Sequence, residues 1–301
     1  MKYLLPTILL AGCVPATPPI HVHERPWLNP ALSYSSVVDA QGNVYATVTI
    51  GGREWMAEDL RSTHYQNADS IPSLTDSSSW VMSRTGGAAV FSNDAGRRPP
   101  FGLLYNGYAV LDPRNVCPAG WHVPTDAEWR DLEQAAGMPA WATLQADIRG
   151  EDRDIGSALK ARIGWDTLNG SSTNSLGFSG LPGGMHQWVG GYQARGQRGS
   201  WWTSTSHGVD SVWTRTLPTP LYAFLDPVVG DTQIVVSDKV GVFREPASRT
   251  DGRAVRCIKD LPAQGTPAWD LDTPTNDRTH IPNPLHHETA PPDPLAAAAD
   301  R

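Results

Sequence analysis

A period of two in the apolar residues predicts a small β-meander in the first quarter of the chain. Apolar residues alternate with Tyr and Thr over residues 44–50, as they do in a strand with one buried face. Turn-forming residues stand on both sides of this segment, Gln41-Gly42-Asn43 before it and Gly51-Gly52 after it. The pattern predicts antiparallel strands within residues 37–56.

Two segments carry helix signals. Thr125 and Glu128 stand three residues apart, which is the spacing of a capping box, and Gly137 ends the helix that follows them. A second helix is predicted for residues 155–163, with Asp154 as its N-cap residue.

Downstream of residue 178 the chain is rich in Gly, Ser, Thr and aromatic residues, a composition typical of short strands joined by turns. Two helices followed by many short strands predict an α+β fold. The strands are expected near residues 201–204, 211–217, 232–237 and 253–258.

The first residues have the pattern of a short export signal. An apolar stretch over residues 4–10 follows a basic residue and is too short to span a bilayer. Leu10-Ala11-Gly12-Cys13 resembles a bacterial lipobox, which implies removal of residues 1–12 and a lipid anchor on Cys13. An ordinary secretory signal with an incidental cysteine is the alternative. By the same resemblance Val14 favours the outer membrane, and the inner membrane stays open.

Proline-rich segments flank the predicted domain. Residues 13–35 contain five prolines and little periodicity, so they are predicted to form an extended tether. Residues 261–301 contain eight prolines and six acidic residues, which predicts a disordered acidic tail. The folded domain is therefore expected over residues 36–260.

The composition excludes some classes of protein. The 301 residues carry 24 Lys and Arg against 31 Asp and Glu, a net charge of −7, which argues against a nucleic-acid-binding surface. The chain also contains 28 Gly, 26 Pro and 12 Trp. Glycine and proline in these amounts indicate a loop-rich domain, and tryptophan side chains are expected to anchor its core.

The three cysteines have separate roles in this interpretation. With Cys13 lipidated, Cys117 and Cys257 remain, and an exported compartment favours a disulfide between them. A bridge that closes about 140 residues contributes roughly 5 kcal/mol on the chain-entropy model. Two buried free thiols are the alternative, and metal ligation is disfavoured because no ligand spacing accompanies either cysteine.

Seven segments, in this order along the chain, together resemble one bacterial family. They are Asp39–Gly51, Trp55–Arg61, Cys117–Trp129, Leu159–Arg162, Gly177–Gly184, Trp201–Thr205 and Val255–Ile258. The chain is similar, over about residues 37–260, to the Fibrobacter succinogenes major paralogous domain, which occurs in exported and lipid-anchored bacterial proteins. The same segments resemble, more remotely, the formylglycine-generating-enzyme-like branch of the C-type lectin fold.

The resemblance implies a C-type-lectin-like domain with two helices and several short antiparallel strands, in which the last strand returns beside the first. A disulfide from before the first helix to the last strand suits that closure. Enzyme chemistry is not implied, because formylglycine formation needs a copper-binding cysteine pair near the C-terminus and only Cys257 lies there. The sugar-binding motifs of calcium-dependent lectins are absent as well. The sequence predicts no cofactor, and a structural calcium ion is an alternative that no motif supports.

The tryptophans divide into core residues and one candidate contact. Trp188 lies in a glycine-rich loop near Tyr192, and both are predicted to contact a ligand, with ring stacking on a sugar face. The alternative for Trp188 is a side chain that anchors its own loop. Four tryptophans of the family segments are assigned to the core, namely Trp121, Trp129, Trp201 and Trp202.

About forty residues separate Arg215 from Val255, and the family pattern is shorter there. The loops of this region form the usual binding face of lectin-like folds, so the insertion over residues 218–244 is expected to supply ligand contacts. Packing of the loop on its own domain is the alternative. The predicted contact residues are Tyr222, Phe224, Asp226, Asp231 and Arg244.

Catalytic motifs are absent from the sequence. The chain has no nucleophile elbow, zinc-protease helix, phosphate loop or dinucleotide glycine pattern. Glu128 and Glu133 are interpreted as a helix cap and a residue on a solvated helix face, and His122 as a core or hydrogen-bonding histidine. The chain is therefore predicted not to be an enzyme.

These features together predict a cell-envelope lipoprotein, anchored at the outer membrane or cell surface, that binds a polysaccharide or an envelope protein and no nucleic acid. A periplasm-facing anchor is an alternative location. One alternative function is a structural subunit of a surface assembly that docks through residues 261–301. Another is a diversified ligand-recognition lipoprotein, and an enzyme is the least favoured.

Overall fold

The computed structural model describes residues 17–166, 172–187, 189, 191–219, 221–225, 232–236 and 239–262. These residues form a mixed α+β fold in which the paired strands are antiparallel. The helices are α1 (Ser77–Met82), α2 (Arg98–Phe101), α3 (Gly107–Val110), α4 (Asp126–Ala135), α5 (Ala140–Thr143) and α6 (Ile155–Leu159). The strands are β1 (Ser35–Val38), β2 (Val44–Ile50), β3 (Arg53–Met56), β4 (Ala88–Ala89), β5 (Leu104–Asn106), β6 (Trp121–His122), β7 (Asp147–Arg149), β8 (Met185–Gln187), β9 (Gly191–Gln193), β10 (Arg198–His207), β11 (Ser211–Pro218), β12 (Leu221–Leu225), β13 (Thr232–Val236), β14 (Val242–Ser248), β15 (Gly252–Arg253) and β16 (Ile258–Lys259).

The first sheet joins the two ends of the domain. Its strand order is β1-β2-β3-β16-β6. Its first three strands are the predicted meander, which the antiparallel pairs β1–β2 and β2–β3 confirm. Ile258 of β16 is paired with Trp55 on one side and with His122 on the other. The C-terminal strand therefore lies inside the sheet that the N-terminal strands begin.

Two further sheets and a hairpin contain the remaining strands. The second sheet has the order β10-β11-β14-β7 and the third has the order β4-β5-β15-β8-β9. Strands β12 and β13 pair with each other as a hairpin between β11 and β14. The strands predicted near residues 201–204, 211–217 and 232–237 are confirmed as parts of β10, β11 and β13.

The strand predicted over residues 253–258 is divided between the third sheet and the first. Arg256 lies between the two pieces, and its Nε donates to Asp59 Oδ1 at 2.6 Å. Trp201 Nε1 donates to the same oxygen at 2.8 Å. The other guanidinium N–H groups donate to the carbonyl oxygens of Phe178 and Ser179. The chain leaves the strand geometry because the fully buried Arg256 needs these partners.

Helix α4 begins where the sequence predicts. Thr125 Oγ1 accepts a hydrogen bond from the Glu128 N–H at 3.2 Å, and Glu128 Oε2 accepts one from the Thr125 N–H at 2.8 Å. This reciprocal pair is a complete capping box. Trp129 and Leu132 are buried on the inner face of the helix, as the apolar spacing indicates.

Helix α6 begins at Ile155, as predicted, but the predictions of its last residue and of its cap were wrong. The helix ends at Leu159, four residues earlier than predicted, and the Ala161 N–H donates to the Gly180 carbonyl oxygen instead. Asp154 does not cap the helix, because its φ is 51° and its Oδ1 accepts from the Val240 N–H at 2.8 Å. The described residues also contain more than the two predicted helices, although only α4 is longer than six residues.

Aromatic rings form the centre of the core. Trp129 meets Trp55 edge-on with 5.5 Å between ring centroids, and its ring lies 6.3 Å from that of Trp201. Phe178 fills the space between them, 5.7 Å from Trp201. The four tryptophans assigned to the core from the sequence are each at most 4% exposed, which confirms the assignment.

A disulfide links Cys117 to Cys257, with 6.0 Å between the two Cα atoms. Both residues are buried. The bridge confirms the predicted pair and joins the segment before β6 to the segment before β16. The two strands that it precedes are neighbours in the first sheet, so the crosslink and the strand pairing reinforce each other.

The residues before β1 pack against the domain. Leu28 is 3% exposed and belongs to the core cluster that contains Trp55, and Trp27 packs against that cluster. Asn29 Nδ2 donates to the Asn174 carbonyl oxygen at 2.9 Å. The packed domain thus begins before Ser36, because Leu28 adds apolar burial within the segment that proline content predicts to be a tether.

Residues 17–35 of the predicted tether are described, whereas almost none of the predicted tail is. The predicted signal, Cys13 and the tail after Pro262 lie outside the described residues. Within the described residues, helices are too short and too polar to cross a membrane.

Candidate ligand-binding site

An aromatic cluster lies at the edge of the third sheet, and it consists of Trp80, Phe91, His186 and Tyr192. The rings of Trp80 and His186 are stacked, 4.3 Å apart at an angle of 13°. The Tyr192 ring meets His186 edge-on at 4.9 Å and lies 5.3 Å from the Phe91 ring. Tyr192, which the sequence predicts as a ligand contact, is therefore part of a larger aromatic surface.

The β8–β9 hairpin and Gly252 position these rings. His186 and Tyr192 are direct partners in the antiparallel register, so their side chains lie on the same face of the hairpin. Gly252 of β15 pairs with His186 on the other side. A Cβ atom at Gly252 would lie 2.6 Å from the Trp80 ring. The missing side chain is what allows Trp80 to approach the sheet and stack on His186.

The aromatic cluster is buried at one end and open at the other. Trp80 and His186 are 0% and 2% exposed, whereas Phe91 and Tyr192 are partly exposed. Burial, together with the nearby Arg253 guanidinium, lowers the pKa of His186 to about 4, so its imidazole is neutral at pH 7. Burial raises the pKa of the Tyr192 hydroxyl, which stays protonated. The open end is therefore an uncharged aromatic face.

Polar groups border the exposed rings. The Tyr192 hydroxyl donates to Asn93 Oδ1 at 3.3 Å. The Arg195 guanidinium lies over the Phe101 ring at 4.7 Å, and 5.9 Å from the Phe91 ring. An aromatic face stacks on the C–H groups of a sugar ring, and polar side chains beside it bind the hydroxyl groups. The open end of the cluster therefore combines aromatic faces with an amide and a guanidinium group.

Among the other predicted contact residues, Arg244 is the one whose side chain the structure describes. It lies on β14 of the second sheet, whereas Tyr192 lies on β9 of the third. Tyr222 and Phe224 occupy β12, where they pair with Val235 and Gln233. Three predicted contacts lie outside the described residues, namely Trp188, Asp226 and Asp231.

Arg244 belongs to an arginine cluster between the second sheet and α4. Its Nε and Nη2 donate to the two carboxylate oxygens of Asp126 at 2.9 and 3.0 Å. The guanidinium carbon of Arg244 lies 3.8 Å from the centre of the Trp213 ring. The members of the arginine cluster are Arg130, Arg149, Arg215, Arg244, Asp126 and Glu133.

Glu133 is buried, so the prediction of a solvated helix face at this residue was wrong. Its side chain is 0% exposed and accepts hydrogen bonds from Arg215 Nε at 2.6 Å and from Arg149 Nη2 at 2.5 Å. A buried carboxylate is costly unless charged donors surround it. Two arginines from β11 and β7 provide those donors, and they lie 82 and 16 residues away in sequence.

His122 lies between two carboxylates at the end of the first sheet. Its Nδ1 is 2.5 Å from Asp260 Oδ1, and its Nε2 is 3.1 Å from both oxygens of Glu128. The predicted hydrogen-bonding role is confirmed. The hydrogen bond with Glu128 raises the pKa of His122, and Asp260 adds to this. Although burial opposes it, hydrogen bonds from His122 and Thr125 lower the pKa of Glu128 to about 2.

Sequence reasoning missed one exposed aromatic residue. Trp141 on α5 is 68% exposed, and Leu144, which follows one turn later, is 60% exposed. The Leu144 carbonyl oxygen accepts from Arg244 Nη1 at 3.2 Å. The backbone of Leu144 therefore contacts the arginine cluster, and Trp141 precedes it by three residues. The signal in the sequence is the spacing of three between Trp141 and Leu144, which places both on one face of a short helix.

Metal-binding arrangements of three or more His, Cys, Asp or Glu side chains do not occur in the described part of the chain. The geometry thus leaves two surfaces as candidates. One is the neutral aromatic cluster, and the other is the outer end of the arginine cluster beside Trp141.

The fold and the disulfide together define a crosslinked α+β domain of mainly antiparallel strands, which carries the two candidate surfaces. The sequence profile of the Fibrobacter succinogenes major domain family matches residues 48–259. The chain belongs to this family, which confirms the resemblance inferred from seven segments. No curated protein and no solved structure matches the chain significantly.

Proposed function

We propose that the protein is a cell-envelope lipoprotein that binds a carbohydrate through the aromatic cluster and catalyses no reaction. The observation that carries this proposal is the partly exposed ring of Tyr192, held beside Phe91 and bordered by Asn93. Such a face gains binding energy from ring stacking, and the Arg195 guanidinium at its border adds a hydrogen-bond donor. Trp188, four residues before Tyr192 in the sequence, is a further contact in this proposal.

The proposal includes a C-type-lectin-like fold. Two features support it: the last strand, β16, lies between β3 and β6, and the disulfide precedes both β6 and β16. The β12–β13 hairpin is inserted between two strands of the second sheet, where lectin-like folds carry their variable loops. The insertion contacts Tyr222, Phe224, Asp226 and Asp231 extend the binding face in this proposal.

The location at the outer membrane or cell surface rests on the lipobox-like residues that end at Cys13. The disulfide supports it, because such bridges persist in oxidising compartments outside the cytosol. An anchored domain would hold its aromatic cluster near the polymers of the envelope. Polysaccharides are therefore the first ligands to test.

The test is a titration of the purified protein with neutral polysaccharides, with and without calcium. Tyr192→Ala should weaken binding about 2- to 10-fold, which corresponds to a stacking contribution of about 0.5–1.5 kcal/mol, and Tyr192→Phe should keep most of the affinity. Tyr108→Ala, a tyrosine on α3 outside the cluster, is the matched control. Failure to bind polysaccharides, with crosslinking to envelope proteins instead, would contradict a carbohydrate ligand.

A further inference from the structure

The arginine cluster carries more positive than negative charge. Its ion pairs within the described residues involve four arginines but only two carboxylates, those of Asp126 and Glu133. The pKa of Asp126 is lowered by Arg244 and Arg215, against the effect of burial, so its carboxylate is ionised. The formal charge of these ion-paired groups is therefore +2, and Asp147, the exposed cross-strand partner of Arg244 on β7, adds one carboxylate at their edge.

The surplus charge lies at the outer end of the cluster. The side chains of Arg149 and Arg215 are 1% and 0% exposed, whereas those of Arg244 and Arg130 are 12% and 30% exposed. Both outer arginines approach one oxygen, Asp126 Oδ2, at 3.0 Å from Arg244 Nη2 and 3.5 Å from Arg130 Nε. Asp126 also pairs with Arg215 at 2.9 Å. One carboxylate thus serves three guanidinium groups.

Apolar and aromatic groups border the same outer end. The Arg244 guanidinium lies against the Trp213 ring and is held from the other side by the Leu144 carbonyl oxygen. Trp141 on the one-turn helix α5 and Leu144, the residue directly after that helix, are exposed. These two exposed apolar side chains therefore belong to a segment whose backbone contacts Arg244.

We propose that Arg130, Arg244, Trp141 and Leu144 form a binding surface for an acidic sugar, in which the carboxylate of a uronate residue binds the two arginines and its ring stacks on Trp141. Guanidinium groups bind carboxylates through short charge-assisted hydrogen bonds. The surface contains only two large apolar side chains. Each partner of a stable protein complex buries a much larger surface, roughly 800 Å². A sugar residue matches the size of this smaller surface, and the anionic group supplies the charge that the cluster lacks.

This surface differs in chemistry from the aromatic cluster. The aromatic cluster is uncharged, because the His186 imidazole is neutral at pH 7. Arg244 of this surface lies on the second sheet and Tyr192 on the third, and the uronate proposal does not rest on sugar binding at Tyr192. The net charge of −7 disfavours general attraction of a polyanion, so binding of one points to a local site.

The test compares polygalacturonate with neutral dextran by titration calorimetry on the purified protein. We expect saturable binding of polygalacturonate, weakened when NaCl rises from about 50 to about 300 mM because salt screens the charged contacts. Dextran should not compete. Absence of polygalacturonate binding at low salt would overturn the proposal. Equal affinity of this surface for polygalacturonate and dextran would overturn it as well.

Two variants locate the site. Arg130→Gln and Trp141→Ala should each weaken polygalacturonate binding, the former by about tenfold or more because a charged hydrogen bond is lost. Both side chains are at least partly exposed, so the melting temperature should stay the same. Arg84→Gln, an exposed arginine that bonds only backbone carbonyls among the described residues, is the matched control.

The variants also separate this proposal from the proposed function. Tyr192→Ala should leave polygalacturonate binding unchanged while it weakens binding of a neutral polysaccharide. A protein that binds polygalacturonate through Arg130 but binds no neutral polymer would uphold the uronate surface and contradict the aromatic one. Unchanged affinity in both Arg130→Gln and Trp141→Ala would overturn the uronate surface.

Discussion

Replacing Glu133 by glutamine should remove a large part of the stability of the domain. The substitution takes one negative charge from between Arg149 and Arg215, whose side chains are 1% and 0% exposed. Removing one partner of a buried ion pair costs about 3–5 kcal/mol, because the other charge stays buried without compensation. Glutamine has nearly the same shape as glutamate, so the loss of stability measures the removal of the charge and not the creation of a cavity.

The electrostatic surroundings of Arg149 agree in direction with this loss. Burial lowers the pKa of Arg149, Glu133 opposes this shift, and Arg215 and Arg244 reinforce it. Without Glu133, the groups that remain near Arg149 disfavour its charge. At about 2–4 °C per kcal/mol for a domain of this size, the expected fall in melting temperature is about 6–20 °C.

Urea unfolding followed by tryptophan fluorescence measures the change, since the core tryptophans become exposed on unfolding. Asp152→Asn is the control, because the Asp152–Arg153 pair is 77% and 56% exposed with its charged atoms 3.7 Å apart. Exposed pairs of this kind contribute about 0–1 kcal/mol. A loss below about 1 kcal/mol in Glu133→Gln would refute the reasoning, since the two arginines would then need no carboxylate.

Three further predictions concern His122, the disulfide and Gly252. Folding raises the pKa of His122 above 6.5, so the stabilising contribution of His122 is complete below pH 6.5 and is lost as the pH rises through the raised pKa. Urea unfolding at several pH values across this window should show the decline in stability. His122→Gln should make the stability less dependent on pH over the same window. Reduction of the disulfide should lower the free energy of unfolding by about 5 kcal/mol, and an unchanged urea midpoint after reduction would contradict this. Gly252→Ala should cost about 1–3 kcal/mol because the new methyl group meets Trp80, whereas Gly183→Ala, with its nearest neighbours at 3.7 Å, should melt close to the parent protein.

Local patterns predicted the elements whose stabilising contacts are close in sequence. The capping box of α4 joins residues three apart, and the meander over residues 37–56 follows from alternation and turn residues. In both cases the residues that define the element also form its main hydrogen bonds. The disulfide spans 140 residues and was predicted on a different ground, because only two cysteines remain after Cys13.

Tertiary contacts decided the elements that the sequence did not predict correctly. Asp154 has a side chain that often caps helices, but its carboxylate instead accepts a hydrogen bond from the Val240 N–H, 86 residues away in sequence. The segment around Arg256 has the apolar pattern of one strand. The strand is interrupted at Arg256, whose guanidinium donates to Asp59, 197 residues away in sequence. A pattern within a short window contains no information on such partners.

Part of the candidate site could be predicted from the sequence. Tyr192 was predicted from its loop, but its neighbour Phe91 lies about a hundred residues earlier, and only the sheet brings the two rings together. Trp141 was missed because a single tryptophan in a short helix is more often core than surface. The surplus of arginine between α4 and the second sheet was equally hidden, since its members come from four elements.

The position of β16 sets a limit on when the domain can complete its fold. The strand lies between β3 and β6, yet its residues are among the last of the domain to be synthesised. Until Ile258 has emerged, β3 and β6 lack the strand that joins them, and each keeps an open edge. Pairings so distant in sequence form slowly. A chain that is passed through a membrane from its N-terminus would therefore stay incompletely folded until nearly the whole domain had crossed.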